Sequence, residues 1–134
     1  MQAASLIGHG VLLPGSAATL SESKAVFGIE VTEPADNVTV TIRDGAGKPV
    51  HTMDLGRQEI GVLPLAWDGK TDSGATAVDG RYSVSVAATR AGEKTAAQTL
   101  SFGQIGSVST NAQGVKINVP DVGAVDIAAV RQFM

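Results

Sequence analysis

Trp67-Asp68-Gly69-Lys70-Thr71-Asp72-Ser73-Gly74, continuing through Ala75-Thr76-Ala77-Val78 to Asp79-Gly80-Arg81-Tyr82, holds the only Trp and the only Tyr of the 134-residue chain. Asp and Gly are residues of tight turns. The Asp carboxylate bonds nearby backbone N–H groups, and Gly enters positive φ without steric cost. Trp and Tyr each join a large apolar body to one polar handle, which suits a core position beside a turn. The segment therefore reads as a β-hairpin that keeps a core anchor and its turn chemistry together. Trp67 is expected to plug a sandwich interior and to give its indole N–H to a carbonyl of the neighbouring strand. Tyr82 is expected to return its hydroxyl to nearby backbone, by analogy with the tyrosine corner of immunoglobulin folds. Asp68 should accept turn N–H groups, and Gly69, Gly74 and Gly80 should take conformations costly for a residue with a Cβ.

Outward from this hairpin, alternation of period two recurs and helical periodicity is nearly absent. Leu63, Leu65 and Trp67 face inward on the first arm, and Tyr82, Val84, Val86 and Ala88 on the second. Upstream, Ala25, Phe27, Ile29 and Val31 share one face of a half-buried strand. Val38, Val40 and Ile42 alternate with Thr39, Thr41 and Arg43 up to the turn Asp44-Gly45-Ala46-Gly47. Val50 to Leu55 should follow as a strand that is either at an edge or bulged, because Pro49 precedes it and its alternation is broken. Arg90-Ala91-Gly92-Glu93 forms the next turn, before a strand running to Leu100 and Phe102. Short strands with turns between them predict a small antiparallel sandwich, somewhat short for seven strands.

The two ends of the chain are richer in Gly and their strands briefer. Val11-Leu12-Leu13 precedes Pro14-Gly15-Ser16. Val115, Ile117 and Val119 precede Pro120-Asp121-Val122-Gly123, and Val125 and Ile127 lead to Val130 and Phe133. Neither end can bury a core alone. The economical arrangement pairs them in a second small β unit, residues 1–24 and 102–134, into which a sandwich of residues 25–101 is inserted. Residues 1–7 read as the tail of a helix with Gly8 as its left-handed cap, which implies a longer N-terminal region.

Composition excludes several functions. Hydrophobic residues make up 43% of the chain but aromatics only 4%, so the core must be built from small and β-branched side chains, which favours sheets. A net charge of −3 without a basic cluster leaves no surface for phosphate backbones, so nucleic acid is not an expected partner. Cysteine is absent, which removes disulfides, thiolate metal sites and thiol nucleophiles. No apolar run is long enough for a membrane span, and the first residues lack the basic start and apolar centre of a signal peptide.

A specific resemblance accompanies this pattern. Gln2-Ala3-Ala4-Ser5-Leu6-Ile7-Gly8 with Val11-Leu12-Leu13-Pro14-Gly15, then Ile42-Arg43-Asp44 with Gly47, then Trp67-Asp68-Gly69, Gly74 and Asp79-Gly80-Arg81-Tyr82, resembles the C-terminal region of the flagellar hook-capping (hook assembly scaffold) family, FlgD. Gly123-Ala124-Val125-Asp126-Ile127 with Val130 and Phe133 is similar to that family's closing segment. The resemblance spans essentially the whole chain. It implies an all-β fold: an immunoglobulin or fibronectin type III-like sandwich inserted into a small Tudor-like β-barrel formed by both chain ends. It also implies a non-enzymatic scaffold at the extracellular tip of the growing hook, exported by the flagellar type III pathway. Its partners would be hook protein subunits and further copies of itself in a cap oligomer. The family's N-terminal region has no counterpart before Met1, so the chain reads as a fragment. The Trp-Asp-Gly to Gly-x-Tyr hairpin also occurs in accessory sandwiches of secreted bacterial enzymes, which, with an adhesion or sugar-binding module, is the alternative function.

Each candidate chemical site has a plainer structural account. Asp68, Asp72 and Asp79 are spaced loosely like a calcium loop, but Lys70 puts a cation where a third ligand belongs, and all three Asp suit turns. Trp67-Asp68 is also the dipeptide of propeller repeats, yet no repeat of about 40 residues accompanies it. His9 and His51, the only imidazoles, lack partners at metal-ligand spacing and read as surface or rim residues. No Ser stands in a nucleophile elbow, and no Gly-Lys-Ser or Gly-Lys-Thr phosphate cradle is present. Glu30, Glu33 and Asp36 surround a bend and read as a solvated loop rather than an acid and base pair. A methyl-lysine cage would need several aromatics; the terminal segments offer Phe102 and Phe133, expected in the core. Catalytic residues, metal ligands and cofactors are thus expected to be absent, and Trp67, Asp68, Gly69, Gly74, Gly80 and Tyr82 form a structural motif.

Overall fold

The computed structural model describes residues 6–134, so most of the helix tail read over residues 1–7 lies outside the described residues. Gly8 has φ +89°, the left-handed conformation read for it. The chain is all-β. Its first strand is β1 (Gly10–Pro14). There follow β2 (Ala17–Leu20), β3 (Ala25–Val31), β4 (Ala35–Arg43), β5 (Pro49–Gln58), β6 (Gly61–Trp67), β7 (Gly80–Arg90), β8 (Glu93–Lys94) and β9 (Ala97–Gln104). The last four are β10 (Ser107–Asn111), β11 (Gly114–Val119), β12 (Gly123–Asp126) and β13 (Gln132–Phe133). Two compact units result: Gly15–Ser101, and the segment ending at Pro14 together with Phe102–Met134.

The middle unit is an antiparallel sandwich. In one sheet β3 lies between β6 and β9; the other has the order β2, β7, β4, β5, with β8 added on β7. Alternation decides which side chains enter. Phe27, Ile29 and Val31 of β3, Val38, Val40 and Ile42 of β4, and Tyr82, Val84 and Ala88 of β7 are buried around Trp67, while Leu63 and Leu65 pack at the margin. Each such aliphatic or Phe side chain contributes about 1.5–3 kcal/mol by leaving water. The turns form where Asp and Gly stand. Asp44 Oδ1 accepts from the backbone N–H of Ala46 and Lys48, and Gly47 follows at φ +84°. At the next hairpin Ala91 and Gly92 carry φ +51° and +81°.

The boundary between units differs from the expected one after residue 24. Ala18 and Leu20 are buried in the sandwich core, and β2 pairs with β7 from Ala17↔Ser83 to Leu20↔Gly80. A four-residue strand cannot bury its apolar face alone, and the ladder on β7 places both inward residues against the Trp67 core. With β2 included, the sandwich has seven strands of four residues or more, beside the two-residue β8.

In the terminal unit, β10, β11 and β12 form an antiparallel sheet, and β1 pairs with β13 through Val11↔Phe133 and Leu12↔Gln132. Leu6, Val11, Leu13, Ile105, Ile117 and Val119 make its core. Phe102 and Phe133 do not join it: they are 39% and 45% exposed. Six aliphatic side chains already fill this small interior, and the Phe102 ring instead lies over Gly10, where a Cβ would stand 2.5 Å from it.

Gly103 has a similar constraint, since a Cβ there would collide with Cγ1 of buried Val119. A β-branched side chain has little freedom to turn aside. Gly103→Ala should therefore destabilise the terminal unit by about 1–3 kcal/mol. The check is urea denaturation combined with amide exchange in β11, where faster exchange is expected.

Candidate functional site

Trp67 ends β6 and is 1% exposed. Its Nε1 donates to the carbonyl of Lys70 at 2.9 Å, an acceptor within its own turn and not in a neighbouring strand. The turn can serve because Asp68 Oδ1 accepts from the Lys70 N–H at 3.0 Å and Gly69 has φ +83°, which together curl the chain back over the indole. Ala77 N–H then donates to Gly69 O at 2.8 Å, closing the loop. Inside it, Thr71 N–H bonds Ala75 O and Gly74 N–H bonds Thr71 O, with Gly74 at φ +89°.

Tyr82, near the start of β7, meets the Trp67 ring edge-on at 5.0 Å and 77°. Its hydroxyl donates to Val78 O at 2.5 Å, four residues upstream, which is the backbone return read for a tyrosine corner. Gly80, at φ +144°, lies between them. Tyr82 thus meets the Trp67 indole directly, while Asp68 and Gly69 shape the turn that carries its acceptor, and Gly74 and Gly80 take positive φ farther along the same segment.

His51 joins the same group, and nothing local in the sequence announced it. Its ring stacks on Trp67 at 6.1 Å and 13°, and its Nδ1 lies 2.7 Å from Asp72 Oδ1. The His51 side chain is 26% exposed, half-buried at the rim, and Asp72 is 59% exposed. The partners are 21 positions apart, so only a pairing of β5 against the loop could have revealed them. Beside the pair is an open cleft of about 340 Å³, lined in part by His51, Met53, Trp67, Asp68, Lys70 and Thr71.

The donor set of this cleft fastens backbone. Asp68 bonds the Lys70 N–H, and Asp72 bonds His51 and the Thr52 N–H. Thr71 Oγ1 pairs with Ser73 Oγ at 3.0 Å and with the backbone of Ala75. Among the described residues no group of three or more His, Asp or Glu is arranged to hold a metal ion. The carboxylates near the Thr32–Pro34 bend bond residues remote in the chain: Glu30 Oε1 of β3 accepts from Gln98 Nε2 of β9 at 2.6 Å, Glu33 from the Thr95 hydroxyl, and Asp36 from the Ala91 N–H. His9 Nδ1 lies 3.3 Å from Met134 O, far from His51 in the chain and in the other unit.

Comparison with known proteins adds to this geometry. A family model described as the FlgD Ig-like domain matches residues 15–92, beginning at the residue where the sandwich unit begins. Over its whole length the chain is 36% identical to the basal-body rod modification protein FlgD of Salmonella typhimurium (strain LT2), of which the match covers 61%. It is 38% identical to the Escherichia coli (strain K12) protein of the same name, covering 62%. The chain thus spans about three fifths of the length of these curated relatives. Among solved structures, FlgD from Xanthomonas campestris, described for hook capping essential for flagellar assembly, aligns with a TM-score of 0.75 at 25% identity, over 98% of this chain and 96% of that one. FlgD from P. aeruginosa has the same fold, with a TM-score of 0.75 at 23% identity over 98% and 100% of the two chains.

Truncating the indole removes the centre of this group, so Trp67→Ala should cost about 3–5 kcal/mol in chemical denaturation. A loss below about 1 kcal/mol would mark Trp67 as a surface residue. Tyr82→Phe, which deletes only the bond to Val78 O, should cost about 0.5–1.5 kcal/mol in the same measurement.

Proposed function

The chain belongs to the FlgD family, and from that premise we propose that it works, without catalysis, in the scaffold that caps the distal end of the growing bacterial flagellar hook and guides hook protein subunits into the lattice. The observation that carries this is the match to FlgD proteins across the full chain, both terminal segments included. An accessory sandwich of a secreted enzyme, or an adhesion or sugar-binding module, would account for the middle unit alone. Its partners are hook protein subunits, and copies of the scaffold associate with one another in the cap. It acts outside the cell at the hook tip, reached by export through the flagellar type III pathway.

Physical chemistry supports the same role. A cap must hold subunits and later release them, which calls for stable domains offering moderate polar and weakly apolar surface rather than a deep pocket. The sandwich meets this by gathering its large aromatics in one buried cluster, with its polar loops tied to their own backbone. Ile7, Phe102, Val122, Phe133 and Met134 in the terminal unit are exposed apolar side chains that offer such surface.

Deleting the gene for this chain should leave cells without hooks and with hook subunits released into the medium, and a plasmid copy should restore both. A deletion strain that swims normally would refute the scaffold role.

A further inference from the structure

β5 ends its sheet, and the outward backbone groups of such a strand are a template on which another chain can pair. The carbonyl of Val50 and the N–H of Thr52 are outward groups of this kind, and Asp72 meets both. Its N–H donates to Val50 O at 2.9 Å, and its Oδ2 accepts from the Thr52 N–H at 3.1 Å. Its Oδ1 lies 2.7 Å from the Nδ1 of His51, the residue between them. A residue in a parallel neighbouring strand bonds the two chain neighbours of its partner in the same sense, through its own N–H and C=O.

We infer that Asp72 is an edge plug: one residue occupying the place of a neighbouring strand on β5, its carboxylate standing in for a backbone carbonyl, so that a second copy of this chain cannot pair there. The plug is held in register from behind. The Trp67 indole fixes Lys70 O, and Thr71 and Gly74 close the turn on either side of Asp72. It also stands where other protection is lacking. Farther along β5, register shifts against β4 and Gly56 at φ +65° distort the ladder, and β6, at the end of the other sheet, carries Pro64, which has no N–H to offer. Pro49 offers no N–H and a register shift separates it from His51, but the stretch from His51 to Asp54 pairs with β4 in unbroken register and has no such feature of its own. Loss of the carboxylate bares the Thr52 N–H, the Val50 carbonyl staying with the backbone N–H of residue 72, and from Thr52 onward this stretch meets the identical edge of a second copy about a two-fold axis, antiparallel, which is the simplest self-complementary contact. This contact is separate from any association within a cap.

The test uses the 134-residue chain with Asp72→Ala. At low concentration the Trp67 fluorescence should be unchanged, while the Thr52 amide exchanges roughly tenfold faster, as for loss of one hydrogen bond. At roughly millimolar concentration sedimentation should reveal a dimer that the parent does not form, with Thr52 protected again. Adding Thr52→Pro to this variant should abolish the dimer, because the outward donor is gone, whereas His51→Ala alone should stay monomeric. Asp72→Ser keeps a turn-forming residue but falls short of Thr52; it is made in parallel and read identically, so a misfolded Asp72→Ala does not remove the test. A folded Asp72 variant that stays monomeric at that concentration, or a dimer that survives Thr52→Pro, overturns the inference.

Discussion

Burying the Trp67 indole requires a partner for its N–H, and the carbonyl of Lys70 supplies it. That one hydrogen bond obliges the chain after β6 to fold back over the ring, which fixes the loop from Asp68 to Ala77. On the indole converge Tyr82 from β7, edge-on, and His51 from β5, stacked. β6 belongs to one sheet and β5 and β7 to the other, so a single side chain connects both layers of the sandwich. Besides Trp67 and Tyr82 this core is made of Val, Ile, Leu and Ala, with Phe27 as a further large ring.

The same economy governs the acidic side chains. Asp44, Asp68 and Asp72 bond backbone N–H groups, and Glu30 and Glu33 bond residues far apart in the chain. Polar side chains held this way tie the loops of the domain to their own backbone. Such a domain suits a family whose Xanthomonas campestris member is described for hook capping.

Much of the motif was legible because its physics is local. Positive φ at Gly69, Gly74 and Gly80, the Asp68 turn bond and the Tyr82 return to Val78 each involve residues at most a few positions apart. The family resemblance rested on these residues together with the Gln2–Gly15 start, Ile42-Arg43-Asp44 with Gly47, and the closing segment from Gly123 to Phe133. The Trp67 acceptor was read less well: burial alone requires an acceptor but does not say whether strand or turn provides it. The His51–Asp72 pair was out of reach, since its partners meet only when β5 is laid beside the loop. Strand β2 was assigned to the wrong unit because a four-residue apolar strand carries no mark of which ladder it will join.

From the sequence alone came the all-β class, the positions of the turns, the inward faces of β3, β4, β6 and β7, and the hairpin that, taken with the two terminal segments, resembles the family. These follow from residue type and from spacing of two, which act over a few residues. Tertiary structure decided the rest: that β2 completes the sandwich, that Phe102 and Phe133 stand at the surface, and that Asp72 sits on the edge of β5. Each depends on space and free backbone groups offered by chain remote in sequence, and these exist only once the strands have paired.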